Sequence, residues 1–284
     1  MAYTISTPTS DAAWRPDHFA FSPGDILPEA LVLTTSTVAG SIEGDAPSVR
    51  VAFITDDTAK FYAEGDDLDE GQPTLAEALI YTSKAAMLLR ITVEQYEQAG
   101  TAGQLAQSVA RAVQRTADTA YVSQAAPIGP LVAPSAGLLN WPGIIDGGEI
   151  ADSLDGLISL IADLESNLAT PSHIVIGPQA WAALRQFKIA DTYNQSLLGA
   201  GVNDAVPRLL GLPLVVSNAL TDSYAGLVID RSAVVSAVGP VKVSTSEHTF
   251  FTADSVGLKC TWRFGHTVPR PDRIGKFSVA APGS

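Results

Sequence analysis

Cys260, the four histidines and a group of carboxylates are the side chains of this chain with reactive chemistry of their own. A cysteine is a nucleophile where a base or a positive charge lowers its pKa. Cys260 alternates with Leu258, Trp262 and Phe264 on the apolar side of a β-patterned stretch whose other side carries Lys259, Thr261 and Arg263. A small buried hydrophobe explains Cys260 better than a nucleophile does. His173 and His266 stand within or beside apolar strand patterns, where histidine is more often structural than basic. Asp152, Asp155, Asp163 and Glu165 lie mostly on the polar face of a helix-patterned stretch, as solvated charges rather than a pair for acid/base work. Gly199-Ala200-Gly201 lacks the preceding strand and the third glycine of a dinucleotide fingerprint. No G-x-S-x-G elbow, phosphate-binding G-x-x-x-x-G-K loop or H-E-x-x-H helix occurs, and no pair of Cys or His has metal-ligand spacing. No catalytic residue, cofactor or metal is expected.

The charges are more informative than the nucleophiles. A formal net charge of -13 and a pI near 4.6 oppose tight phosphate binding, which needs clustered Lys and Arg. Between Asp56 and Glu70 seven acidic residues, Asp66 and Asp67 among them, face Lys60 alone. From Pro240 to Ser284 six Lys and Arg, including Arg263, Arg270 and Arg273, face three acids. Two readings stay open: a solvated loop with an ordinary basic end, or two surfaces that meet between subunits, where complementarity sets register and rate of assembly. The acidic stretch sits inside a hairpin-like segment, Ser48 to Gln72, with Val49, Val51, Phe53 and Ile54 at one end and Phe61 and Tyr62 at the other. A two-stranded ribbon is marginal in water by itself, so it needs something to pack on, and another copy of the chain is the expected partner.

The elements around these residues follow from pattern. Residues 1–45 carry Pro8, Pro16, Pro23 and Pro28 with Trp14, Phe19, Phe21 and Leu31 and no helical period, which predicts an extended arm whose few aromatics dock elsewhere. Thr74 to Thr92 reads as a strand, although its Ala and Leu also suit a helix. Thr92 with Gln95 resembles a capping box for a short helix, Val93 to Ala99, interrupted by Gly100 and Gly103. Apolar positions from Leu105 to Ala120 recur every three or four residues and predict a helix over 104–121. After a Pro- and Gly-rich linker, Ile150 to Leu168 predicts a second amphipathic helix. Ser172 to Gly177 is a short buried strand, and Pro178 opens a helix at its favoured first position. A loop over 189–206 and strands at Leu212 to Ser217 and Gly226 to Asp230 complete an α/β unit, and the chain past Gly239 is mostly β.

At 284 residues the chain is long enough to bury roughly three quarters of its unfolded surface without staples. Its single cysteine excludes an internal disulfide. No signal-peptide pattern and no apolar run of the roughly 20 residues that span a bilayer is present, so a soluble protein with no membrane partner is expected.

Three stretches together resemble the major capsid proteins of tailed bacteriophages, the Hong Kong-type capsid fold: Pro171 to Leu184 (PSHIVIGPQAWAAL), the strand opening Gly211 to Val216, and Val256 to Pro271 with Arg263 and the Arg270-Pro271 pair. The resemblance lies in their order and spacing. It implies an α+β fold with an N-terminal arm over 1–45, an extended loop over 46–75, a peripheral domain over 76–124 and 238–284 built on a long spine helix, and an axial domain over 125–237. It implies a structural role in an icosahedral virion shell, assembled in the host bacterial cytoplasm, with no catalysis. The implied partners are the chain itself in pentamers and hexamers, a portal protein, a separate scaffolding protein because Met1 leads straight into the arm, a decoration or cement protein, and packaged double-stranded DNA held without sequence-specific binding. Lys60, Phe61, Tyr62, Asp66, Asp67, Arg263, Arg270 and Arg273 become the expected intersubunit contacts. The family's best-known weld joins a loop Lys to a peripheral-domain Asn, but Asn occurs here only at 140, 167, 194, 203 and 218, all within the axial part. Two alternatives share some of these features: an encapsulin-like compartment around a protein cargo, and a cytosolic α/β enzyme using the 189–206 loop.

Overall fold

The computed structural model describes residues 18–21, 27–44, 46–55, 61, 74–98, 101–190, 193–196 and 207–281. In chain order the elements are β1 (His18–Phe21), α1 (Leu31–Thr35), β2 (Thr37–Ser41), β3 (Ser48–Thr55), β4 (Thr74–Tyr81), β5 (Ser83–Thr92), α2 (Val93–Glu97), α3 (Thr101–Ser123), β6 (Ile145–Ile150), α4 (Asp155–Ser166), β7 (His173–Ile176), α5 (Pro178–Gln186), β8 (Lys188–Ala190), β9 (Tyr193–Ser196), β10 (Arg208–Leu209), β11 (Leu212–Val216), β12 (Ala225–Ile229), β13 (Val235–Val238), β14 (Val241–Phe250), β15 (Ser255–Thr267) and β16 (Ile274–Val279).

Strand β15 organises the first sheet. Its alternation sends Leu258, Cys260, Trp262 and Phe264 inward and leaves Lys259 outward, as the pattern requires. One edge pairs with β14 and, past the break at Gly239, with β13; the other edge pairs with β5 from Ser255↔Thr92 to Phe264↔Ser83. β1 and β2 extend the sheet beyond β14 and β13. The buried Trp262 donates its indole N–H to the Gly239 carbonyl at 3.0 Å, which satisfies both groups where β13 gives way to β14. The long helix α3 covers the apolar face through Val109, Val113, Ala117 and Tyr121.

A second sheet runs β10-β11-β7-β12-β16-β6. Its central strands are short apolar runs buried on both faces. Val175, Leu227, Ile229 and Ile274 face the core beneath α3, while Ile174, Ile176, Val228 and Phe277 meet α4 and α5. β13 belongs to the first sheet, and β16 lies between β12 and β6 in the second.

Several sequence expectations need correction. The spine helix begins at Thr101 rather than Gln104, since Gly103 falls in its first turn, where one glycine costs only about 1 kcal/mol. Ile150 is not helical: it ends β6, pairs with Val279, and Asp152 at φ 60° separates it from α4. Thr74 to Thr92 is two strands broken at Thr82, and residues 188–190 and 193–196, which overlap the expected 189–206 loop, pair as antiparallel strands. The arm is not wholly extended or docked elsewhere. Leu27, Leu31 and Val32 are buried in the chain's own core, because α1 lies on the spine helix.

Candidate subunit interface

The ribbon forms from β3 and β4 rather than within 48–72, with Ser48 opposite Tyr81 and Thr55 opposite Thr74. It does not wait for another copy to bury its root. Ile80 packs with Ile42 and Ala237, and Val49 and Val51 close over the same cluster. The approach is so close that a Cβ on Gly40 would meet Val49 Cγ1 at 2.9 Å. At Gly265 the Tyr81 carbonyl leaves no room for a Cβ, and here β4 parts from the sheet edge that β5 follows. Arg263 donates to the Thr82 hydroxyl at this point, and the Thr82 hydroxyl and N–H donate to Ala46 and Pro47 carbonyls. Further out, the Arg270 guanidinium lies 5.2 Å from the centre of the Phe53 ring, a cation–π contact within one subunit.

The expected contact residues separate into three groups. Phe61 is fully exposed, an unusual place for a large aromatic ring. Lys60, Tyr62, Asp66 and Asp67 lie outside the described residues. Arg263 lines an open depression of about 440 Å³ together with Lys84, Lys242, Lys259 and Thr261. Arg270 and Arg273 are not among the lining residues; Arg270 holds the ribbon, and Arg273 sits in the turn Pro271–Arg273 beside β16. Sequence reasoning singled out Arg263 and not its neighbour Lys84, because β5 meets β15 only in the tertiary register.

The candidate reactive groups are structural. Cys260 is buried and burial pushes its thiol pKa up, against nucleophilic use. His266 is enclosed by Tyr121, 4.9 Å away edge-on, and Trp141, and donates from Nε2 to the Ala136 carbonyl at 2.9 Å. Burial brings its pKa down to about 4, so the ring is neutral and ties the linker to β15. Desolvation raises the Asp118 pKa to about 6, offset in part by hydrogen bonds from Leu31 N and Gln114. Its Oδ1 accepts the Leu31 amide proton at 2.8 Å and so caps α1, which has no N-cap side chain of its own. Among the described residues no group of three or more His, Cys, Asp or Glu is placed to hold a metal ion.

The phage capsid family matches residues 34–279. The chain belongs to this family. No curated protein sequence matches it. Solved structures with the same fold include a Gordonia phage Cozz chain (TM-score 0.68, 16% identity, 89% of this chain and 87% of that one). A chain described as the capsid of an empty GTA particle aligns with TM-score 0.64 at 18% identity, over 89% of this chain and 90% of that one. A Mycobacterium phage Bobi chain aligns with TM-score 0.63 at 14% identity, over 98% of this chain and all of that one. The capsid protein is thus a structural subunit of an icosahedral virion shell that associates with copies of itself, and its mixed helix and strand architecture is the Hong Kong-type fold.

Proposed function

We propose that copies of this capsid protein close a shell around double-stranded DNA, that the segment between β3 and β4 reaches onto a neighbouring copy, and that the chain performs no catalysis. The observation that carries this is Phe61: the ribbon's root is buried in its own subunit, whereas this aromatic ring beyond it is fully exposed. Burying it against a neighbour would contribute about 1.5 to 3 kcal/mol per copy, repeated across a symmetric shell. Lys60, Tyr62, Asp66 and Asp67 share that segment and join the contact in this reading.

In this reading the first sheet and α3 form the peripheral domain, and the second sheet with α4 and α5 forms the axial domain at capsomer centres. The chain returns through β16 to finish the axial part. Pentamers and hexamers assemble in the host cytoplasm, with scaffolding and portal proteins as further partners and the outer surface open to a decoration protein. An acidic wall suits packaged DNA, which must slide past rather than stick.

Negative-stain microscopy of the purified protein, followed by nuclease protection and mass spectrometry of the contents, tests the proposal. Closed shells with protected DNA after co-production with the packaging proteins are expected. Shells that instead retain one co-purifying enzyme would establish the nanocompartment reading, and a discrete small oligomer would overturn the shell.

A further inference from the structure

Residues 27–36, between β1 and β2, lie as a strap on the spine helix α3. Leu27, Leu31 and Val32 are buried there, and the polar fastenings come from far along the chain. Asp118 Oδ1 accepts the Leu31 amide proton, and the Thr35 and Tyr121 hydroxyls meet at 3.1 Å. At the far end the Ser36 and Ser236 hydroxyls meet at 2.7 Å, and Arg231 Nε donates to the Ser36 carbonyl at 2.9 Å. Only Asp118 among these groups changes charge near neutral pH, because burial pushes the Tyr121 pKa up and an arginine stays charged.

The surroundings of Asp118 do not suit a charge. It is only 8% exposed, at the edge of an open cleft of about 420 Å³ between the strap, α3 and β11. No lysine or arginine lines the cleft, and Glu29, which enters it from the turn before α1, has the same sign as Asp118. β11 brings Val215, Val216 and Ser217, none of them ionisable. Arg115, one turn back on α3, is exposed, and among the described residues no salt bridge engages it or Asp118. His266 lies on Tyr121 and is neutral above about pH 4. Two hydrogen bonds, from Leu31 N and Gln114, do not offset the loss of water around the carboxylate, so the closed strap favours the protonated acid. In that form one oxygen still accepts the Leu31 amide, and the hydroxyl is free to donate to the Gln114 carbonyl.

We infer that residues 27–36 are a proton-linked latch: Asp118 takes up a proton as the strap closes on the spine helix and gives it up as the strap opens. The buried apolar side chains hold the strap shut at every pH, and the proton sets how often it opens locally. The carboxyl pKa is raised from 3.8 to about 6 in the closed state, so the contribution is present at low pH and lost as pH rises through about 6. Opening is therefore about tenfold more frequent near pH 7.5 than near pH 5. It would uncover Tyr121 and slacken the link between β1 and β2. The latch belongs to a single subunit and goes beyond the shell reading.

Hydrogen exchange of the full-length, unassembled protein tests this, read by mass spectrometry from about pH 5 to about pH 7.5 and corrected for the intrinsic exchange rate. Peptides covering residues 31–36 should open about tenfold more often at the upper pH. At each pH they should also open more often than peptides from β7 and β12. In Asp118→Asn the pH dependence of residues 31–36 should disappear, and the wild-type profile carries the test by itself if that variant does not fold. A flat wild-type profile overturns the latch. So does opening of residues 31–36 no more often than β7 and β12, since the strap would then open only with the whole subunit. Persistence of the profile in a folded Asn variant also overturns it and moves the proton to another group. Each of these outcomes leaves the shell reading intact.

Discussion

Arg263 and Thr82, 181 positions apart in sequence, meet where Arg263 Nη1 donates to Thr82 Oγ1 at 3.0 Å, and the same hydroxyl donates to the Ala46 carbonyl at 2.6 Å. The pair joins β15 to both ends of the ribbon's root. Thr82 is buried, so each group it releases would lose a partner away from water. Thr82→Val is expected to cost about 1 to 3 kcal/mol in chemical denaturation. Amide exchange should speed up in residues 46–51 and 78–83 and stay unchanged in β7 and β12. Uniform exchange across the chain would show that the root is not a local clamp.

Asp118 and His266 pull stability in opposite directions as pH changes. The folded-state pKa of Asp118 is raised from 3.8 to about 6, so the folded chain binds more protons there and stability falls as pH rises through that window. His266 is lowered from 6.5 to about 4, so its contribution is lost as pH falls from about 6.5 to 4. Asp118→Asn keeps an oxygen to accept the Leu31 amide and removes the buried charge. It should stabilise the subunit at pH 7 by an amount on the order of 2 kcal/mol. The gain should vanish near pH 4, and the variant should show a steeper loss of stability below pH 6.5 than the wild type. A variant less stable at pH 7 would show that the ionised carboxylate is the better cap for α1.

Replacing Phe61 and Tyr62 together with Ser should leave the monomer folded and stop closed shells from forming. Each ring would forgo about 1.5 to 3 kcal/mol of burial in every copy. Circular dichroism checks the first outcome and negative-stain microscopy the second. Wild-type shell yield would place the contact elsewhere on the ribbon.

Shells of this protein should carry no covalent weld between subunits. A lysine-to-amide bond needs an amide electrophile held near the loop lysine with a carboxylate base. Residues 240–284 contain neither Asn nor Gln. The Asn140 amide already donates to the Ser123 and Gln124 carbonyls at the end of α3, and Asn167 donates to the Asp272 carbonyl. Particles boiled in denaturant should run as one band near 29.6 kDa. A ladder of higher bands would identify an electrophile other than these.

Much of the fold was legible because its causes are local. Two-residue alternation placed Cys260 and Trp262 inside, Pro178 marked the first turn of α5, and Thr92 caps α2 by accepting from the Gln95 amide at 3.4 Å. Each of those signals rests on neighbours within a few residues. The same locality misled at Ile150, whose spacing continues the apolar stripe of α4 although pairing with Val279 holds it in a strand. Segment charge was also readable, but not which charges share a surface. Lys84 joins Lys242, Lys259 and Arg263 only because three strands from distant parts of the chain align in one register. Asp118 likewise finds the Leu31 amide 87 residues away only once α1 lies on the spine helix. Composition and periodicity by themselves determined an acidic segment, a basic end and most of the helices and strands, and the order of three stretches carried the resemblance to capsid proteins. The tertiary structure decided where the ribbon is rooted and which cations share one sheet face, because strand register and helix docking are contacts between residues that the sequence keeps far apart.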